Sequence, residues 1–164
     1  MIEVAHGDLL NADTEALVNT VNTVGVMGKG IALQFRQAFP ENYKAYRKVC
    51  QSALVQLDKM FVFHTGKLTC PKIIINFPTK ADWRSNSRLA DIESGLVDLV
   101  NIIAVEKINS IALPPLGCGN GGLNWHVVRP LIEDAFSKLP QITVLLYSPE
   151  SATIRHDNNK SERD

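Results

Sequence analysis

The 164 residues are 45% hydrophobic and 21% charged, the proportions of one globular domain with room for a full core. Seventeen lysines and arginines balance seventeen aspartates and glutamates, which excludes a global field that pulls the chain onto nucleic acid or membrane; a polyanion has to be recognised locally. The three cysteines, Cys50, Cys70 and Cys118, lack paired spacing, so neither a disulfide scaffold nor a zinc site is expected.

In chain order, "MIEVAH" (1–6) and "EALVNTV" (15–21) predict strands, each bounded by turn residues. Asn22, Gly25, Gly28 and Gly30 then form a loop ahead of Ile31, Phe35 and Ala38 or Phe39, which fall at helical spacing until Pro40. "PENYKAYRKVC" (40–50) predicts a second short helix, and "KMFVFHTG" (59–66) and "PKIIINF" (71–77) predict strands. Leu89, Ile92, Leu96, Leu99 and Ile103 make the apolar stripe of the clearest helix, 88–105. The strand "SIALPPL" (110–116) follows, then a second glycine-rich loop (117–122), a helix over 125–139 and a last strand, "ITVLLYS" (142–148). Residues 150–164 are polar and charged and are expected to form a disordered tail or linker, leaving 1–149 as the domain. With no leader pattern and no apolar run of spanning length, a cytoplasmic protein free of the membrane is expected.

This alternation predicts an α/β fold in three layers, α/β/α, around a central mixed but mostly parallel sheet. In such folds ligands bind at the carboxyl ends of strands. Both glycine loops and "NFPTK" (76–80) follow predicted strands, so three loops are expected on one sheet edge.

Neither familiar phosphate motif fits. Gly25 and Gly30 have the outer spacing of a Walker A loop, but Ile31 and Ala32 stand where Lys and Ser/Thr are needed. "GCGNGG" (117–122) has the G-x-G-x-x-G form, yet only one strand follows it and no acidic residue lies at the dinucleotide distance. Each loop alone reads as a turn and helix cap. Together, beside "VNTVN", they predict backbone N–H groups gathered around a diphosphate.

Over residues 1–149 the chain resembles the macrodomains, which bind ADP-ribose. The resemblance rests on Gly7-Asp8-Leu9 after the first strand, "ALVNTVN", "PPLGCGNGG" and the closing "VLLYSP". "NTVGVMGKGIALQF", "NFPTK" and "PPLGCG" are most similar to the DarG-like branch, DNA ADP-ribosyl glycohydrolase antitoxins that oppose DarT-like toxins. The resemblance implies that Asp8 accepts from the adenine amino group, with Leu9 beside it and Tyr147 flanking the base. It turns Asn22 to the distal ribose. Gly25, Val26, Met27, Gly28, Gly30, Ile31 and Ala32 of the first loop wrap the ligand from one side. Gly117, Cys118, Gly119, Asn120 and Gly121 wrap it from the other, and Thr79 adjoins. Plainer readings stand beside these: an Asx turn for Asp8, a core aromatic for Tyr147, a turn asparagine for Asn22. No histidine is placed in sequence to activate Cys118, and His6, His64, His126 and His156 are assigned no role.

Lys80, on its residue type alone, is a solvated surface charge; the resemblance makes it the catalytic residue. A lysine suits cleavage at an anomeric carbon, either attacking as a neutral amine or, protonated, stabilising the leaving base. Relatives acting on protein esters pair this lysine with an aspartate at the position of Gly121, so that pairing is absent and only a loop water or Asp82 is left as a base. Lys29, Trp83, Arg84 and Arg88 are candidates for contacts with DNA; equally, Ser85 or Ser87 caps a helix there and Trp83 packs in the core. The expectation is a monomeric hydrolase, without cofactor or metal, that removes ADP-ribose from thymine in single-stranded DNA, with a DarT-like toxin as a partner. Its rivals are a non-catalytic ADP-ribose reader and a hydrolase of ADP-ribose-1″-phosphate or protein esters.

Overall fold

A computed structural model describes residues 1–52 and 56–149; the tail expected at 150–164 lies outside the described residues. Six strands, β1 (Ile2–Ala5), β2 (Ala16–Asn22), β3 (Phe61–His64), β4 (Ile73–Lys80), β5 (Ser110–Leu113) and β6 (Thr143–Tyr147), form one sheet in the order β1-β6-β5-β2-β4-β3. The first five are mutually parallel and β3 runs antiparallel at the edge, which is the mixed, mostly parallel sheet expected. The helices are α1 (Gly30–Ala38), α2 (Pro40–Gln51), α3 (Leu89–Val105) and α4 (Trp125–Ser137).

Strand alternation sorts side chains into the two outer layers. Ala16, Val18, Ile73, Ile75 and Phe77 pack with the apolar stripe of α3 and with Val128, Ile132 and Phe136 of α4. Leu17 and Ile74 point the other way, into a cluster with Phe35 of α1. Tyr46 of α2 closes that layer against Val21 and Met27. On the first face Gly95 lets α3 rest directly on Phe77, since a Cβ at 95 would collide with the ring.

One polar device sits inside this apolar frame. Asn19, Asn42 and Asn76 are fully buried. Asn76 Oδ1 accepts from Asn19 Nδ2 and Asn42 Nδ2, both at 3.2 Å, and Asn76 Nδ2 donates to Asn42 Oδ1 at 2.8 Å. The network ties β2, β4 and α2 together where apolar contacts alone leave register less defined.

The end of β4 corrects the expectation that "NFPTK" is a loop: the strand continues through Pro78 to Lys80. Proline is tolerated because β3 pairs no further than Asn76, so one edge of β4 has no partner beyond it. Two shorter corrections share one cause. Pro114 and Pro115 stop β5 at Leu113, and the helix expected to reach 139 ends at Ser137. The β2–β4 ladder also contains a bulge, for Val21 pairs with Pro78 and Asn22 with Lys80, leaving Thr79 as the extra residue. Just past it, Thr23 donates to Ala81 O from its N at 3.2 Å and its Oγ1 at 2.8 Å. No helix among the described residues is long and apolar enough to cross a membrane.

Candidate active site

The carboxyl ends of the five parallel strands share one sheet edge, and there they enclose a cleft of about 640 Å³. Asp8, Leu9 and Tyr147 line it near β1 and β6, and Lys80 and Trp83 line it near β4. Four strand spacings, about 19 Å, separate β1 from β4. The two glycine loops lie between.

Asn22 organises the first loop. Its Oδ1 accepts from Val24 N (3.2 Å), Gly25 N (3.0 Å) and Val26 N (3.2 Å), and its Nδ2 donates to Val26 O at 2.8 Å. The turn-asparagine reading is therefore realised, while Asn22 also borders the cleft. Beyond it the backbone donors are left open. Gly28, Lys29, Gly30, Ile31 and Ala32 line the cleft, and none of their N–H groups has a hydrogen bond among the described residues. They lead into and form the first turn of α1, whose N-cap residue, Lys29, makes no side-chain cap bond. Open donors plus the helix dipole favour an anion at this point.

Two expected loop residues lie elsewhere. Gly25 is buried against α2, where a Cβ would stand 3.4 Å from Arg47 Cα, and its φ of 87° suits glycine. The Met27 side chain is fully buried with Val21 and Tyr46. Both support the loop from behind.

In the second loop Gly117, Gly119, Asn120 and Gly121 line the cleft. The N–H groups of residues 119–121 are likewise without partners among the described residues. Cys118 turns away, its Sγ donating to Leu116 O at 3.5 Å, and burial pushes its thiol up to about 11. It is a packing residue. Gly121 has no room for a side chain: a Cβ would meet Ser87 Oγ and stand 2.5 Å from Gly117 O. The absence of an aspartate here thus follows from packing as well as from sequence. The loops touch across the cleft, with Asn120 Nδ2 3.4 Å from where a Cβ of Gly30 would lie.

At the β1 end Asp8 Oδ1 accepts from Leu10 N at 3.0 Å and caps a single 3-10 turn, Leu9–Asn11. Asp8 also lines the cleft. Burial, then the nearby Asp8 charge, raises the Tyr147 pKa. Ser148 also lines the cleft, and its buried Oγ has no hydrogen-bond partner among the described residues.

At the β4 end burial, then the Lys29 charge, lowers the Lys80 pKa, against a smaller opposing pull from Asp82. Trp83 is 45% exposed rather than packed in the core, with Lys29 Nζ 5.8 Å and Arg84 Cζ 5.5 Å from its ring centroid. Arg84 grips Asp82 through Nε and Nη2, both at 3.1 Å, and these bonds hold the Asp82 carboxyl down at about 2. Neither residue lines the cleft. Arg88 is exposed and outside the cleft. It is the N-cap residue of α3, so the serine caps do not form; Ser87 N instead donates to Gly121 O at 2.9 Å.

The Macro domain family matches residues 18–132. The chain is a macrodomain. It is 54% identical to the DNA ADP-ribosyl glycohydrolase of Mycobacterium tuberculosis over 153 residues, 93% of this chain and 44% of that protein. The solved macrodomain of M. tuberculosis DarG superposes with a TM-score of 0.90 at 56% identity, covering 91% of this chain and 98% of that one. Thermosipho africanus DarTG in complex with ADP-ribose superposes with a TM-score of 0.82 at 32% identity, covering 91% of this chain and 42% of that one. The chain spans less than half the length of these curated glycohydrolase relatives.

Chemically, the macrodomain's cleft offers anion-binding N–H groups along its middle and two lysines, Lys80 and Lys29, toward its β4 wall. Asp8 is the one carboxylate among the described residues that line it, at the far end from Lys80. No group of described residues is arranged to hold a metal ion. Sequence carries no signal for Thr20, Gln34, Pro114, Pro115 and Ser148 as lining residues, because their types are unremarkable and only the sheet edge brings them together.

Proposed function

We propose that this macrodomain hydrolyses the N-glycosidic bond between ADP-ribose and a thymine base in single-stranded DNA, with Lys80 as the reacting residue. The observation that carries this is a half-buried lysine of lowered pKa on the cleft wall, with no carboxylate lining that end. The names of the relatives supply the substrate class. A DarT-like transferase that installs the mark is the partner this reading assigns, in keeping with the Thermosipho africanus protein named a DNA ADP-ribosyl transferase–DNA ADP-ribosyl glycohydrolase fusion.

In this reading adenine lies beside Asp8 and Tyr147, and the diphosphate crosses the open N–H groups of both loops. The anomeric carbon then faces Lys80. A lowered pKa increases the neutral fraction of the amine, the form able to attack. Nζ bonds to C1″ as the bond from C1″ to the thymine nitrogen breaks, and the departing base takes a proton from water. Nζ gives up a proton to solvent, the ribose ring opens to an imine, and water hydrolyses the imine to release ADP-ribose and free lysine. No carboxylate is required at any step.

The test uses an oligonucleotide with an ADP-ribosylated thymine. Lys80→Ala is expected to lose turnover by about 10³-fold, the scale of one acid–base or nucleophilic group, while ADP-ribose affinity changes little. Borohydride should trap a covalent adduct on the parent protein alone, and kcat should rise with pH up to the Lys80 pKa. Equal turnover by both proteins would remove Lys80 from the mechanism. Tight binding without turnover by the parent protein would make the domain a reader.

A further inference from the structure

The chain is neutral as a whole, but its cations are unevenly placed. Residues 23–52, the first glycine loop with α1 and α2, hold five lysines and arginines against one glutamate. That glutamate, Glu41, pairs with Lys44 at 3.3 Å. Lys29, Arg36, Arg47 and Lys48 make no ion pair among the described residues. Helix α3 on the opposite layer carries Asp91, Glu93 and Asp98 and no basic residue.

Helix α2 packs against the back of the first glycine loop, and its cations lie outside the cleft lining. Lys44, Arg47 and Lys48 are exposed and share one face of the helix. The Arg47 backbone packs on Gly25, the middle of the first glycine loop. The start of that loop is bonded through Thr23 to Ala81, two residues before Trp83. Between the two ends Val24 is 49% and Val26 42% exposed, an unusual pair of apolar side chains beside a polar cleft. These contacts set out a strip from Lys80 and Trp83 on the cleft wall, past the exposed Val24 and Val26, to the helix that carries Arg47 and Lys48.

Its order of chemistry is aromatic, aliphatic, then cationic. Single-stranded nucleic acid needs that combination, a ring to stack a base and cations for the phosphates that follow. We propose that this strip is the track on which the DNA strand flanking the modified base docks, with Trp83 meeting the base and Arg47 and Lys48 meeting backbone phosphates. The inference rests on the glycohydrolase reading for its choice of strand. An acidic protein segment would use the cations of α2 but has no need of the apolar stretch between them and the mouth.

The experiment compares the full chain with its Arg47→Gln/Lys48→Gln variant on two substrates, ADP-ribosylated thymidine and a single-stranded oligonucleotide carrying the same modified base. The nucleoside should be turned over equally well by both proteins. On the oligonucleotide, kcat/KM of the variant should fall about tenfold at low salt, and its logarithmic salt dependence should become shallower by about 1.4, at roughly 0.7 per lost phosphate contact. Undiminished oligonucleotide turnover, or an equal loss on both substrates, overturns the track. If the parent protein turns over neither substrate, the glycohydrolase reading has failed, and anisotropy of an unmodified oligonucleotide still decides. Weaker binding by the variant then upholds the track, and equal binding ends it.

Discussion

At the scale of single residues the site depends on what surrounds Lys80. Burial and Lys29 act in the same direction on its amine, and Lys29 is held near by the Trp83 ring. Removing that cation by Lys29→Gln should raise the Lys80 pKa. The rising limb of kcat against pH then moves to higher pH, and turnover at neutral pH falls because less amine is neutral. A limb that stays in place would show burial alone sets the pKa; a limb that moves to lower pH would contradict the neutral-amine route. Lys80, Asp8 and Tyr147 stood out as candidates only through the resemblance to the macrodomains; their residue types alone read as a surface charge, an Asx turn and a core aromatic. Gly25 and Met27 were misplaced for one common reason. Loop sequence shows which residues are small or apolar, but not which of them fold back onto a helix that arrives later in the chain. Ser148 was invisible, since a serine at a strand end carries no signal until its burial is known.

Elements decide how precisely Lys80 is carried. Strand β4 takes its position from α3 on one face, through Phe77 against Gly95, and from the buried asparagines on the other. Gly95→Ala sets two effects against each other. Alanine gains about 1 kcal/mol of helix propensity, whereas forcing a methyl into the Phe77 ring costs about 1–3 kcal/mol. The clash should win, so the thermal midpoint should fall by a few degrees and turnover should drop as β4 shifts. A higher midpoint would mean that Phe77 swings aside freely. The strands and helices themselves were readable from their apolar periodicity. What hid the end of β4 was Pro78, a residue that favours a loop unless the neighbouring strand has already stopped.

For the whole molecule, each parallel strand delivers one wall of the cleft, so a ligand reaching from β1 to β4 engages nearly every element of the sheet. ADP-ribose at one hundred times its Kd should stabilise the fold by about 2.7 kcal/mol and raise Tm by about 5–10 °C, read by calorimetry. Adenosine, confined to the β1 end, should leave the exchange of amides 119–121 unprotected, and ADP-ribose should protect them. This gathering of walls followed from strand–helix alternation and was legible. The polarity of the two outer layers was not, since a net charge of zero conceals it. The extra Thr79 in the β2–β4 ladder has a consequence of its own. Side chains along a strand alternate like the beats of a two-step, and one added residue changes which foot falls where. Because of it, Pro78 follows Val21 and Lys80 follows Asn22 onto opposite faces of the sheet, and losing Thr79 would leave the lysine opposite Asn22 and both glycine loops intact. The bulge thus adds Thr79 to the cleft wall without changing the lysine's place in the ladder.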